Sequence, residues 1–190
     1  DRSYKSIIQK SIQEQEIFKN ILEKIEPIDF LLESSGSIGK DLRNELKNTT
    51  DLRSREILER KIEKLIPNNK QKYVIIIRHL LELTEKLGYG MGIYNDDFYY
   101  FDGRYWVKKD KNILIAFLGE FAEKAGLEKL EALQFKTKED LFSQFQVEAL
   151  IPISKSNSSE IRIPVQNGTL IFKNGLPELS EFNKDHFLRY

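Results

Sequence analysis

Few residues in this chain are of types that do covalent or metal chemistry. It has two histidines, His79 and His186, and no cysteine. Neither histidine has a metal-ligand partner three or four residues away. Glu82 lies three residues beyond His79, where the two read as a surface pair on one helix face. With no thiol, a nucleophile would be a serine or threonine served by one of these histidines, and no nucleophile-elbow pattern is present. The run Gly36-Ser37-Ile38-Gly39-Lys40 has the residue types of a phosphate loop without its spacing. That loop needs four residues between its glycines and a Ser or Thr after the lysine to hold magnesium. Here two residues intervene and Asp41 follows. Asp96 and Asp97 could hold a cation, but they fall between β-prone runs, where aspartate serves a tight turn. No catalytic residue, metal ligand or cofactor site is therefore expected in this fragment.

What remains is binding chemistry. Phe98-Tyr99-Tyr100-Phe101 and Tyr105-Trp106 form an aromatic cluster, with Arg104, Lys108, Lys109 and Lys111 beside it. Aromatics interleaved with cations can stack bases and track a phosphate backbone. These four basic residues are the candidate DNA contacts. The competing reading is a hairpin with one aromatic face in a core and its lysines merely solvated. Strand alternation turns the other aromatics to the opposite face, where a second, helical layer is expected to cover them. The chain carries 30 basic and 30 acidic residues, for a formal net charge of zero. A dedicated high-affinity DNA-binding domain is usually basic, so any DNA contact has to come from a local patch.

The elements that would position this cluster can be read from periodicity. Ile8, Ile12, Phe18, Ile21, Leu22 and Ile25 recur at helical spacing until Pro27 ends the helix near Glu26. Residues 33–39 read as a loop by composition. A charged helical segment over 40–66 follows, with a break near Asn48-Thr49-Thr50, so residues 1–69 suggest a helical hairpin or small bundle. Residues 73–87 carry the apolar spacing of a helix, ended by Gly88. The period then changes to two. Residues 92–94, 98–101 and 104–107 predict a small antiparallel meander, with Asn95-Asp96-Asp97 as the first turn and Asp102-Gly103 as a two-residue type I′ turn. Asp110 caps a helix running to Gly126, and residues 127–133 add a shorter one. Thr137 is expected to cap a further helix, with Asp140 in the capping-box position, and Pro152 closes it. Residues 154–159 form a polar loop. Ile161–Val165 and Thr169–Phe172 flank Gln166-Asn167-Gly168 as a second hairpin, with Pro164 marking an edge strand. Lys173-Asn174-Gly175 turns the chain again, and the last residues trail toward Tyr190.

The expected fold class is thus α+β: a helical N-terminal region (1–69), then a mixed domain (70–190) of amphipathic helices and two small antiparallel hairpins. At 190 residues, 40% of them hydrophobic and 32% charged, the chain can bury a core without staples. Its longest apolar runs, such as residues 113–118, are far too short to span a bilayer. A cytoplasmic location is expected, with no membrane partner. The chain opens on Asp1, so its N-terminus is expected to have been removed or to lie further upstream.

The segment Phe98-Tyr99-Tyr100-Phe101-Asp102-Gly103-Arg104-Tyr105-Trp106 resembles the tyrosine–aspartate–glycine–x–x–tryptophan hairpin that precedes the helicase domain in phage, plasmid and poxvirus primase-helicases. Ile163-Pro164-Val165-Gln166-Asn167-Gly168-Thr169-Leu170 is similar to the asparagine–glycine–x–leucine strand turn of the same family. Phe187-Leu188-Arg189-Tyr190 resembles the phrase that leads into its superfamily 3 ATPase. The resemblance covers residues 73–190, and its structural marks are Asp102, Gly103, Trp106, Asn167 and Gly168. Neither the Walker motifs and arginine finger nor the acidic residues of the primase occur here, so no enzyme activity transfers to any residue. The resemblance implies a supporting role: joining the primase to a C-terminal helicase domain of the same chain, helping a ring to self-assemble, or guiding single-stranded DNA to the motor. A freestanding protein-interaction module without a nucleic-acid role is the alternative, and an enzyme with an unrecognised site is a third.

Overall fold

The surest helix in the sequence is also the best built. In a computed structural model, which describes residues 16–151, 160–165, 167–173 and 175–189, α5 spans Asn69–Lys86. It opens on a full capping box: the Asn68 side chain accepts from Gln71 N–H, and the Gln71 side chain accepts from Asn68 N–H. The box satisfies two of the backbone donors that every helix start leaves open. At the other end Gly88 takes a φ of +76° and turns the chain into the first strand.

Before α5 stand α1 (residues 16–24), α2 (Phe30–Ser35), α3 (Ser37–Asn48) and α4 (Leu52–Leu65). The start expected for the first helix lies outside the described residues. The loop expected over residues 33–39 is absent: Gly36 alone, at φ +56°, separates α2 from α3. Composition misled because the serines bond helix carbonyls. Ser35 donates to Leu31 O, and Ser34 reaches Leu65 O at 3.0 Å, tying α2 to the end of α4. Thr49 and Thr50 do break the long helical segment, and Asp51 caps α4 by accepting from Ser54 N–H.

After α5 come β1 (Gly90–Tyr94), β2 (Asp97–Phe101) and β3 (Trp106–Lys109), then α6 (Lys111–Lys124), α7 (Lys129–Leu133) and α8 (Phe135–Glu148). A second group follows: β4 (Glu160–Val165), β5 (Gly168–Lys173), β6 (Leu176–Ser180) and a short 3-10 turn at Lys184–His186. The fold is α+β, with eight helices and two antiparallel three-stranded sheets, ordered β1-β2-β3 and β4-β5-β6, among the described residues. None of those helices is long and apolar enough to cross a membrane.

One core gathers residues from both sides of position 69. Ile17 and Ile21 of α1 join Ile76, Ile77 and Leu80 of α5, Phe98 and Tyr100 of β2, Leu118 and Phe121 of α6, and Leu141 and Phe145 of α8. Asp110 caps α6 as its position suggests, by accepting from Asn112 N–H. Thr137 does not cap α8. The helix starts two residues earlier, and the buried Thr137 hydroxyl lies 3.4 Å from Tyr73 Oη, between α8 and α5. Asp140 instead pairs with Lys136. His79 likewise finds Glu33 of α2 at 3.4 Å rather than Glu82 on its own helix.

The cap and the core differ in how much each holds. Asn68→Ala is expected to cost about 1 kcal/mol. Phe121→Ala, at a fully buried site, is expected to cost about 3–5 kcal/mol. Urea denaturation of both variants checks the ranking.

Candidate nucleic-acid interface

The aromatic cluster is a two-faced sheet. Phe101 pairs with Trp106 and Tyr99 with Lys108, while Tyr100 pairs with Val107 and Phe98 with Lys109. Alternation therefore sends Phe98, Tyr100 and Val107 to the main core, and Tyr99, Phe101 and Trp106 to the opposite face. Glycines in β1 make room on that second face. A Cβ on Gly90 would meet the Trp106 ring at 2.9 Å, and one on Gly92 would meet Ile151 at 2.4 Å.

The turn between β2 and β3 is not the two-residue type I′ expected. The register pairs Phe101 with Trp106, which leaves a four-residue connection, 102–105. Asp102 Oδ1 accepts from both Arg104 N–H and Tyr105 N–H at 2.8 Å, and Gly103 alone takes a positive φ, +94°. An aspartate that caps its own turn needs only one left-handed residue. The Asn95-Asp96 turn is the one with positive φ at both positions. Asp97 starts β2 and pairs with Lys108 at 2.5 Å, which raises the lysine's pKa.

A coil strap, not a second helical layer, covers the second face. Residues 182–189 do not trail. Trp106 N–H donates to Leu188 O at 2.9 Å, and the indole N–H donates to Lys184 O at 2.7 Å. Trp106 also forms a parallel bridge with Arg189. Phe187 packs against Tyr94, Tyr99 and Trp106 with ring centroids 4.8, 5.6 and 5.6 Å away. Its φ of +42° is in the left-handed region. A bulky side chain there costs about 1–3 kcal/mol and persists only where its surroundings enforce it.

The second sheet is joined to the same place. Tyr105 Oη donates to Val165 O at 3.2 Å, and the Tyr105 ring meets Phe182. Gly168 is required because a Cβ there would lie 2.3 Å from Ser180 O. Asn167 stands exposed in the turn between β4 and β5. The third strand, β6, escaped the sequence reading because four of its five residues are exposed and show no alternation.

The four predicted DNA contacts do not form one patch. Arg104 sits in the exposed turn at one end of β3, and Lys109 at the other end. Lys108 and Lys109 project from opposite faces of the sheet. Lys111 opens α6. Lys108 instead shares a shallow surface with Arg189, Tyr99, Phe187 and Leu188. The Arg189 guanidinium lies 5.1 Å from the Tyr94 ring and 5.5 Å from Phe187. Arg189 was not among the predicted contacts. Its signal was the aromatic–basic run at 187–190, which reads as an exit phrase unless the strap is known to fold back. This small aromatic–cationic surface can stack a base and meet a phosphate. Among the described residues no group of His, Asp and Glu side chains is arranged to hold a metal.

His186 carries the strap onto the second sheet. Burial, and then Arg162, push its pKa below the usual 6.5, with Lys173 acting the same way and Asp185 and Glu160 opposing. A histidine held neutral in the folded state loses stability as pH falls below its unfolded value, because only the unfolded chain takes up the proton readily.

Stability should therefore decline between about pH 6.5 and the onset of carboxylate titration near 5, and His186→Gln should flatten that decline in denaturant titrations. Trp106→Ala, which empties a buried site and releases the strap, is expected to cost about 3–5 kcal/mol. Trp106→Phe, which keeps most of the packing but loses the indole donor, is expected to cost about 1–2 kcal/mol.

No family model, curated protein or solved structure matches this chain.

Proposed function

We propose that this chain is a non-catalytic accessory domain of a phage- or plasmid-type replicative primase-helicase, supporting the ATPase motor and helping to guide single-stranded DNA to it. The observation that carries the reading is the junction at Trp106. Three segments distant in sequence underlie the resemblance: the aromatic hairpin, the asparagine–glycine hairpin and the final aromatic phrase. They meet there through the Trp106 bonds to Lys184 O and Leu188 O and the Tyr105 bond to Val165 O. A domain that holds residues 184–189 against a sheet is suited to orient a motor joined through them. The C-terminal helicase domain of the same polypeptide and further copies of the chain in a ring are the implied partners. The aromatic–cationic surface of Lys108, Arg189 and the half-buried Tyr94 and Phe187 supplies a small site for single-stranded DNA. With zero net charge overall and two local cations, that binding is weak, and its salt dependence reports the few phosphates those cations neutralise.

A second reading, a freestanding protein–protein interaction module, is favoured by the α3–α4 hairpin. It buries only Gly39 and Leu58, and leaves Ile38 60% and Leu52 79% exposed.

Fluorescence anisotropy of labelled single- and double-stranded DNA, at low and physiological salt, separates the two. Preference for the single strand is expected. In the Lys108→Gln/Arg189→Gln double variant the salt slope should fall by about 1.4, at roughly 0.7 for each single-strand phosphate no longer neutralised. Absence of binding to either form at low salt removes the DNA-guiding role. The reading frame is expected to continue past residue 190 into an ATPase with Walker motifs, and a frame that stops there overturns the primase-helicase assignment.

A further inference from the structure

The strap also forms one wall of a cleft that the DNA-facing surface does not include. The cleft, of about 410 Å³, lies between the C-terminal end of α5, β1, the end of α8 and residues 184–187. That is the size of a small-molecule site. Its walls are apolar and aromatic: Leu81, Met91, Trp106, Ile151 and Phe187. Its charged groups are the carboxylates of Glu85, Glu148 and Asp185 and the single ammonium of Lys184.

The way these charges are already paired decides what the cleft can take. Lys184 is engaged by Glu85. Glu148 has Arg78 at 3.6 Å and the Gln144 amide at 3.1 Å. Among the described residues no cation pairs with Asp185, so the cleft keeps one carboxylate in excess. Carboxylates accept and cannot donate, so a ligand's polar end must bring donors. Trp106, 5% exposed, and the half-buried Phe187 border the cleft, and an aromatic ring attracts positive charge for a separate reason, its quadrupole. Phe187 is held against this cleft in a left-handed conformation, and strain of that kind is characteristic of ligand clamps.

We propose that this cleft binds an organic cation with an apolar body about one ring in size, seated against Trp106 and Phe187 with its ammonium or guanidinium group toward Asp185 and Glu148. Phe187 borders both this cleft and the Lys108–Arg189 surface, but the cation site rests on the cleft's own charges and stands whichever way the DNA experiment falls.

Trp106 is the only tryptophan in the chain, so its emission reports occupancy directly. Three probes share one body and differ in charge: phenethylamine, phenethyl alcohol and phenylacetate. The amine is expected to change Trp106 emission saturably and to bind about tenfold more tightly than the alcohol, with phenylacetate weakest. Asp185→Asn, at an exposed position, should shrink the amine's advantage while leaving the melting temperature unchanged, and adding Glu148→Gln should remove it. Equal affinities for the three probes, tighter binding of phenylacetate, an amine preference that survives in the double variant, or no saturable change at millimolar amine overturns the proposal.

Discussion

The arrangement of the strap, residues 182–189, depends on one residue's two hydrogen bonds. Trp106 offers a backbone N–H on the open edge of β3 and an indole N–H on the face of the sheet, and both go to residues 184–188. Neither bond is strong alone, since folding exchanges water for protein and leaves about 1 kcal/mol net. Together with the buried indole they fix both the position and the direction of the strap. Phe187 is then held in a backbone conformation it would not adopt unaided, and His186 is carried to Arg162 on the second sheet. Removing the constraint at Trp106 would leave the second sheet joined to the first chiefly through Tyr105.

Much of the fold follows from patterns that a linear reading detects. The 3.6-residue period of α5 and α6, the change to period two at residue 92, and the caps at Asn68 and Asp110 are local signals, and local interactions realise them. Misreadings arose where a residue type has two uses. Ser34 and Ser35 look like loop formers, yet they bond carbonyls within and between helices. Asp102-Gly103 has the composition of a type I′ turn, yet the aspartate accepts from two backbone donors and makes a longer turn sufficient. Thr137 looks like a cap and is instead buried against Tyr73.

The candidate surface was less legible than the fold. Its aromatic half is visible in residues 94–106, but its second cation, Arg189, lies about 80 residues away in the chain. No period links the two. What brings them together is the Trp106 bridge, a tertiary contact with no local signature. Alternation along β3, by contrast, is readable, and it already separates Lys108 from Lys109 onto different faces. The basic cluster therefore divides along the sheet normal, and its lysines have different neighbours: Lys108 has Asp97 and the strap, while Lys109 lies on the side of the main core.

Both edges of the first sheet meet one further residue each, Leu150 against Ile93 on β1 and Arg189 against Trp106 on β3. An unpaired strand edge is a template for joining another chain, and long open edges promote aggregation. These two bridges occupy one position on each edge of the aromatic sheet. On the second sheet, Pro164 in β4 removes a donor from the exposed edge. The strap thus has a colloidal consequence as well as a structural one. A chain cut or loosened ahead of residue 184 would uncover an aromatic strand edge and gain a tendency to associate with itself.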